Sequence, residues 1–338
     1  MAELDSPESI AVYLNAASPP THLRLPGTPV LRPARRFWTI RALSAEMQRN
    51  PPDVLFVPAH VIPPVHPRSV VTIHDLGYLV EPDCHDPRHR RQLAWSTRWN
   101  CRAANGIIAV SHQTRRDLIE LLGVHPEKIR VIYHGVDTRF SPATDAAVAQ
   151  IRAELALPDR FVLAVGSLHS RKNLGRLIAA FERLAPAHPE LGLVLVGSPG
   201  WNAESIFERI AQSPFRTRIR APGFVRNDQL PALYSAAAVM AFVSLYEGFG
   251  LPVVESMACG TPVVTSERSS LPEIGGDAAL LVDPTDVDAI AAGIDRVLSS
   301  AATGQELRTR GLARARSFSW QDCAKETLVF LRSIRDNS

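Results

Sequence analysis

Residues 239–264 read Val-Met-Ala-Phe-Val-Ser-Leu-Tyr-Glu-Gly-Phe-Gly-Leu-Pro-Val-Val-Glu-Ser-Met-Ala-Cys-Gly-Thr-Pro-Val-Val. The apolar run 239–243 is what a strand covered on both faces of a parallel sheet requires. The chain leaves it through Glu247-Gly248-Phe249-Gly250 and enters a helix at Leu251-Pro252. Proline suits the first helical turn, where its missing N–H costs nothing. Cys259-Gly260 gives the helix an ordinary C-cap, and 261–264 enters the next strand. Strand, glycine turn, helix and strand form the repeating unit of a parallel α/β sheet. Ligands bind where such strands end. The amides of residues 248–252, with the positive end of the helix dipole, then make an anion site suited to a diphosphate. Glu255 is expected in the first turn of that helix, where a carboxylate can accept from two adjacent hydroxyls, as a ribose presents them. Glu247, one step before the helix, can meet a sugar beyond the diphosphate.

The same alternation extends in both directions from this segment. In the first half, 10–14, 53–57, 70–73, 106–110 and 128–132 read as strands, and 38–49, 88–104 and 112–122 as helices. Ser111 is an expected N-cap and Gly123 an expected C′ residue. Turn signals and a short Ala-rich helix between 135 and 158 mark a linker. The pattern restarts with strand 161–166, helix 174–184, strand 191–197, helix 203–211, strand 218–221, helix 228–236, strand 238–243, helix 251–258, strand 262–265 and helix 286–299. A last helix covers about 320–335. Two Rossmann-like doubly wound domains follow: 1–136, 137–318, and a C-terminal helix 319–338 expected to return to the first.

With 338 residues the chain exceeds what one core commonly supports, roughly 250–300 residues. A net charge of +3 is too small to argue for nucleic acid. The basic residues are nearly all Arg, with Lys only at 128, 172 and 325, a bias that GC-rich coding explains as readily as phosphate binding. The four cysteines, Cys84, Cys101, Cys259 and Cys323, have no metal-like spacing and fit a reduced, cytoplasmic protein. No stretch reaches the roughly 20 apolar residues of a membrane span, and no signal peptide is evident.

A second motif, Val165-Gly166-Ser167-Leu168-His169-Ser170-Arg171-Lys172-Asn173-Leu174, follows the first strand of the second half and opens a helix. Arg171 and Lys172 at that sheet edge offer charge-assisted bonds to a diphosphate. Cations at a helix N-terminus oppose its dipole, so they call for an anion. Gly223-Phe224-Val225 ends the strand 218–221. In the first half, Val70-Val71-Thr72-Ile73-His74-Asp75-Leu76 ends a buried strand with a His-Asp pair, which in isolation reads as structural. The run Arg88-His89-Arg90-Arg91 leads a helix with Leu93, Trp95 and Trp99. Such a segment can rest on anionic lipid, or it can be a solvated helix start with buried tryptophans.

The stretch from Glu247 to Glu255 resembles the Glu-x7-Glu motif of the retaining glycosyltransferases of family 4, also called group 1, which have the two-domain glycosyltransferase B fold. The match is long and specific. It implies that Glu255 holds the ribose hydroxyls, that Glu247 contacts the donor sugar, and that Gly248, Phe249, Gly250 and Leu251 hold phosphate and sugar. The stretch at Gly166 resembles the family's Gly-x5-Lys-Asn element, with Ser167 where many members carry Arg, so Arg171 is expected to supply the second positive charge beside Lys172. The loop at Phe224 and Val225 matches the one whose backbone recognises the nucleobase. His74 matches a histidine that approaches the donor sugar.

The resemblance further implies transfer with retention, in which the leaving diphosphate assists the acceptor. No metal cofactor is expected, the cations at 171 and 172 with the helix amides standing in its place. The variant Ser-Leu-His-Ser-Arg-Lys-Asn and the stretch Gly197-Ser198-Pro199-Gly200-Trp201 resemble bacterial mannosyltransferase-like members. GDP-mannose is the preferred donor, with a UDP-sugar as the second choice. The acceptor is expected to be a cell-surface glycan or glycolipid, with peripheral contact at the inner face of the membrane allowed. Family members open with a strand and a Gly-rich loop, whereas residues 1–14 read as the end of a first helix running into the second strand. A first domain without its opening strand would impair transfer, which makes a non-catalytic nucleotide-sugar-binding remnant the competing expectation. A dehydrogenase fails because no Gly-x-Gly-x-x-Gly follows the first strand of either half.

Overall fold

The computed structural model describes residues 9–18, 27–34, 36–59 and 61–336. The opening stretch 1–8 therefore lies outside the described residues. The chain divides into two compact units, one of Met1–Leu76, Arg91–Gly135 and Trp320–Ser338, the other of Gly77–Arg90 and Val136–Ser319.

In the first unit, β1 (Ala11–Leu14) pairs in parallel with β2 (Thr28–Leu31). A separate parallel sheet runs β3 (Leu55–Val57), β4 (Ser69–Ile73), β5 (Gly106–Ala109) and β6 (Ile129–Val131). Strand β2 is absent from the sequence reading because Thr-Pro-Val-Leu carries a proline, which demotes a run to an edge or a non-strand. β4 is buried throughout. Val70, Ile108 and Ile132 form a core that Phe330 of the helix Trp320–Asp336 completes. The Arg68 guanidinium donates to the carbonyls of Ile334 and Arg335 at 2.9 Å, satisfying acceptors that a helix end leaves open. Ser111 caps the helix His112–Leu122 by accepting from the Thr114 N–H at 3.0 Å, and Gly123 closes it at φ 65°. The 38–49 segment begins as a π-helical turn, Trp38–Leu43, before becoming α-helical at Ser44–Arg49.

The second unit is a six-stranded parallel sheet: β7 (Arg160–Val165), β8 (Leu191–Val196), β9 (Ile219–Gly223), β10 (Val239–Phe242), β11 (Val263–Ser266) and β12 (Ala279–Val282). Its spatial order is β12-β11-β10-β7-β8-β9. The chain builds outward from β7 to β9, then returns to lay β10 on the other flank of β7, with Val239 opposite Val162. The loops after β7 and β10 therefore leave the same sheet edge side by side, at a topological switch point. On the helix Leu174–Leu184, Leu174, Leu177, Ile178, Phe181 and Leu184 are all buried. That is the three- and four-residue spacing of one helical face, and each such side chain contributes on the order of 1.5–3 kcal/mol when buried. The sequence reading misses β12 and the helix Ala301–Ala315. The latter is polar, interrupted by two glycines, and uses Gly311 to lie close on Met257.

The segment Gly77–Arg90, read from the sequence with the first half, groups with the second unit. There Ser170 Oγ donates to the Cys84 carbonyl at 3.4 Å, and the His85 ring lies 5.5 Å from that of His169.

Candidate active site

The loop after β7 begins at Gly166, whose φ of +143° strains any L side chain and where a Cβ would lie 3.3 Å from Lys172 Cε. Glycine here lets the lysine stem pass close to the backbone. Arg171 and Lys172 stand on a short 3-10 turn, Ser170–Lys172, that precedes the helix at Leu174. His169 Nδ1 accepts the Arg171 N–H at 3.2 Å, so its Nε2 carries the proton when the ring is neutral. Burial, with the Arg171 charge beside it, pushes His169 down to about 4. Asn173 is buried in the left-handed region at φ 59°, and its amide donates to the Val243 carbonyl at 3.0 Å and the Pro284 carbonyl at 2.6 Å. Leu245 N–H donates to the Arg171 carbonyl at 3.0 Å. The two loops are thus tied together by backbone and amide bonds before any ligand arrives. Asn173 has no assigned role in the sequence analysis; the tolerance of asparagine for φ > 0 beside a helix start is the local signal for it.

Glu247 is the centre of the site. Lys172 Nζ donates to Oε1 at 2.6 Å and Arg171 Nη1 lies 3.0 Å from Oε2. Arg171 also donates to the Tyr246 carbonyl, and Lys172 Nζ sits 4.6 Å above the Phe242 ring. Burial by itself would raise the Glu247 carboxyl, but the Lys172 and Arg171 charges and the lysine hydrogen bond outweigh it and hold the group below the usual carboxylate range. The loop carrying Glu247 is pinned by serine: Glu247 N–H donates to Ser269 Oγ at 3.0 Å, and Ser270 Oγ donates to the carbonyls of Glu247 and Phe249 at 2.9 Å each. Gly248, Phe249 and Gly250 are buried. Gly250 has φ +107° and packs so closely on Leu271 that a Cβ would come within 2.7 Å of it.

Glu255 lies just beyond the first turn of the helix Leu251–Ala258, not within it, because the helix begins at Leu251 and a turn takes 3.6 residues. The helix dipole acts mainly over the first turn, so burial and its neighbours set this carboxyl. The Tyr234 hydroxyl donates to Glu255 Oε2 at 2.8 Å. Burial raises the Glu255 carboxyl above its ordinary value; the Tyr234 hydrogen bond opposes the rise and the Asp137 charge adds to it. The two acids of one motif thus sit in opposite environments, Glu247 clamped by two cations and Glu255 held by a neutral phenol.

Ser167 is exposed on the same loop as Lys172. After β9, Phe224 is 69% exposed and Val225 buried, so the ring of the first faces solvent while the second anchors the turn. His74 belongs to the first unit. Its Nε2 meets the Pro58 carbonyl at 2.8 Å, which only an N–H can do, and its Nδ1 lies 3.3 Å from His134 Nε2. His134 stacks on His74 at 5.3 Å and is pushed down to about 4, by burial first and by its neighbour second. Among the described residues, no three His, Cys, Asp or Glu side chains converge as metal ligands.

The family described as "Glycosyl transferases group 1" matches residues 148–316, which hold every element of this site in the second unit, and "Glycosyltransferase Family 4" matches residues 7–140. The O-antigen chain mannosyltransferase B of Escherichia coli is 32% identical over 302 residues, 88% of this chain and 77% of that protein. The chain belongs to the group 1 glycosyltransferases. It is a glycosyltransferase with mannosyltransferases among its relatives. The serotype-specific mannosyltransferase WbdA of Escherichia coli is 29% identical over 265 residues, 76% of this chain, which spans only 32% of that longer protein. Among solved structures, sucrose-phosphate synthase from Thermosynechococcus elongatus matches at a TM-score of 0.78 with 22% identity, covering 97% of this chain and 89% of that one. HepE from Anabaena, in complex with UDP and glucose, matches at 0.74 with 20% identity, covering 91% and 86%. These likenesses establish the glycosyltransferase B fold for a group 1 enzyme. No helix among the described residues is long and apolar enough to cross a membrane.

Proposed function

We propose that this glycosyltransferase moves a hexosyl group, mannosyl before others, from a nucleoside-diphosphate sugar to a cell-surface glycan or glycolipid, with retention of anomeric configuration. GDP-mannose is the preferred donor, supported by the relatives named as mannosyltransferases; a UDP-sugar is the second choice, supported by the UDP in the HepE structure. The observation that carries the reading is the Lys172–Glu247–Arg171 cluster at the switch point. Two cations and one carboxylate leave a formal surplus of +1, which a diphosphate meets. As the diphosphate enters, Lys172 and Arg171 turn to its oxygens and Glu247 is released to accept from a hydroxyl of the transferred sugar.

In the reaction, the bond from the anomeric carbon to the diphosphate oxygen breaks and the acceptor oxygen bonds to the same face. The acceptor proton passes to the departing phosphate oxygen. Negative charge grows on the leaving group, where preorganised cations and amides stabilise it most effectively. In this scheme Gly166, Ser167 and residues 248–251 line the diphosphate and sugar, Glu255 takes the ribose, and Phe224 and Val225 the base. No metal is needed, because the cations fill that role. The Arg-rich helix Pro87–Ala103 exposes Trp95 to 63%, a combination suited to peripheral contact with anionic lipid.

The test is a thermal-shift panel of GDP-, UDP- and ADP-sugars, since a bound donor stabilises the fold more the tighter it binds, followed by NMR of the product's anomeric proton. Stabilisation by GDP-mannose and an α-mannosyl product are expected. An inverted product, or no shift with any nucleotide sugar, overturns the proposal.

A further inference from the structure

We infer that Tyr234 is a positioning residue for donor recognition: its buried phenol fixes the carboxylate plane of Glu255 so that the remaining acceptor sites meet a ribose diol. The inference rests on the reading above that Glu255 takes the ribose. Tyr234 is fully buried on the helix Leu230–Ala236. Its ring lies edge-on to Phe140 at 6.0 Å, and its carbonyl accepts from Thr261 Oγ1 at 2.7 Å and from the Ala237 N–H at 3.0 Å. Ring and backbone are both held, so the hydroxyl has one place to point, and it points to Glu255 Oε2 at 2.8 Å.

The chemistry of this partner matters. The terminal torsion of a glutamate is broad and roughly two-fold, so a carboxylate with no fixed partner presents its oxygens in many orientations. A cation could fix it, but would also neutralise it and compete with the incoming hydroxyls, as Lys172 and Arg171 do at Glu247. A phenol takes one of the roughly four acceptor sites of a carboxylate and leaves its charge intact. Hydrogen bonds from ligand hydroxyls to that charged group are about twice as strong as neutral ones. Burial and the Glu255 charge hold the Tyr234 phenol well above its ordinary range, so it stays a donor at any working pH.

The test is Tyr234→Phe, which keeps the ring against Phe140 and removes only the hydroxyl. Calorimetric affinities are measured for GDP and for 2′-deoxy- and 3′-deoxy-GDP, with UDP forms used if UDP stabilises the protein better. Losing one hydrogen bond to a charged group predicts GDP binding weakened roughly 10-fold, and the donor KM raised by a similar factor with kcat moving less. The deoxy forms, each keeping one hydroxyl, should lose less than GDP does on going from the wild type to Tyr234→Phe. Because the comparison is between ligands on one protein, general destabilisation cancels. Equal weakening of GDP and the deoxy forms by Tyr234→Phe would reduce Tyr234 to a structural role and overturn the inference. So would unchanged GDP binding in Tyr234→Phe while Glu255→Ala loses it. If Glu255→Ala itself binds GDP as the wild type does, it is the ribose assignment of Glu255 that fails.

Discussion

Replacing Glu247 by glutamine keeps the shape of the side chain and removes its charge. In the structure this side chain is only 10% exposed, and its two cationic partners are 16% and 13% exposed. Removing one member of a buried ion pair costs about 3–5 kcal/mol, because the other charge is left uncompensated. Here the glutamine oxygen still accepts from one cation, Arg171 keeps the Tyr246 carbonyl, and Lys172 keeps the Phe242 ring, so about 2–3 kcal/mol is the expected loss. At roughly 2–4 °C per kcal/mol for a domain of this size, Glu247→Gln should melt about 4–12 °C below the wild type. The formal charge of the cluster rises from +1 to +2, so the affinity for GDP should hold or tighten and the GDP-induced gain in Tm should grow. Turnover should fall on the order of 10²–10³-fold, the scale seen when one transition-state contact is lost. Differential scanning fluorimetry with and without GDP, calorimetry and a transfer assay measure the three quantities. A Tm within about one degree of wild type, or GDP binding weakened more than about tenfold, would refute the ion-pair reasoning.

Lys172→Met should weaken GDP about 10–100-fold, the worth of one charge-assisted hydrogen bond, with a smaller loss of Tm than Glu247→Gln because Arg171 still pairs with Glu247; calorimetry decides. Gly166→Ala should cost about 1–3 kcal/mol through its φ of +143° and also weaken GDP by displacing the Lys172 stem; a variant with unchanged GDP affinity would break that link. The histidine pair predicts acid sensitivity. Unfolded histidine binds a proton near 6.5, whereas burial and His74 keep folded His134 neutral down to about 4, so the unfolded state takes up more protons between those values. Stability is therefore complete above pH 6.5 and falls as pH drops to 4, by roughly 3 kcal/mol for His134. Urea midpoints at pH 7.5 and 4.5 should show this slope, and His134→Gln should flatten it. Trp95→Ser, at an exposed position, should reduce binding to anionic vesicles in a flotation assay while leaving Tm within about one degree.

The site residues were legible wherever local chemistry marks them. Glu247, Arg171 and Lys172 stand on glycine-rich turns between an apolar strand and a helix, with Glu255 further along the second of those helices, and such turns announce a strand end whatever the rest of the chain does. Ser111 and Gly123 were legible as caps for the same reason. The misses share a cause as well. β2 and β12 are four-residue strands with little periodicity, and Glu255 sits one residue beyond the turn assigned to it because helix starts depend on cap geometry. Tyr234 carried no signal at all, since an apolar-looking position on a short helix reads as core until its hydroxyl is seen to reach Glu255.

By itself, then, the sequence determined two α/β units, the order of most of their strands along the chain, and an acidic and a basic motif each placed at a strand end. Tertiary structure alone decided that β10 lies beside β7, which brings Lys172 to Glu247 across 75 residues of chain. It also decided that Gly77–Arg90 joins the second unit, and that the two glutamates of one motif have opposite surroundings. Turn and helix chemistry act over a few residues and are written locally. Strand order, burial and charge pairing are settled only when distant segments share one sheet edge.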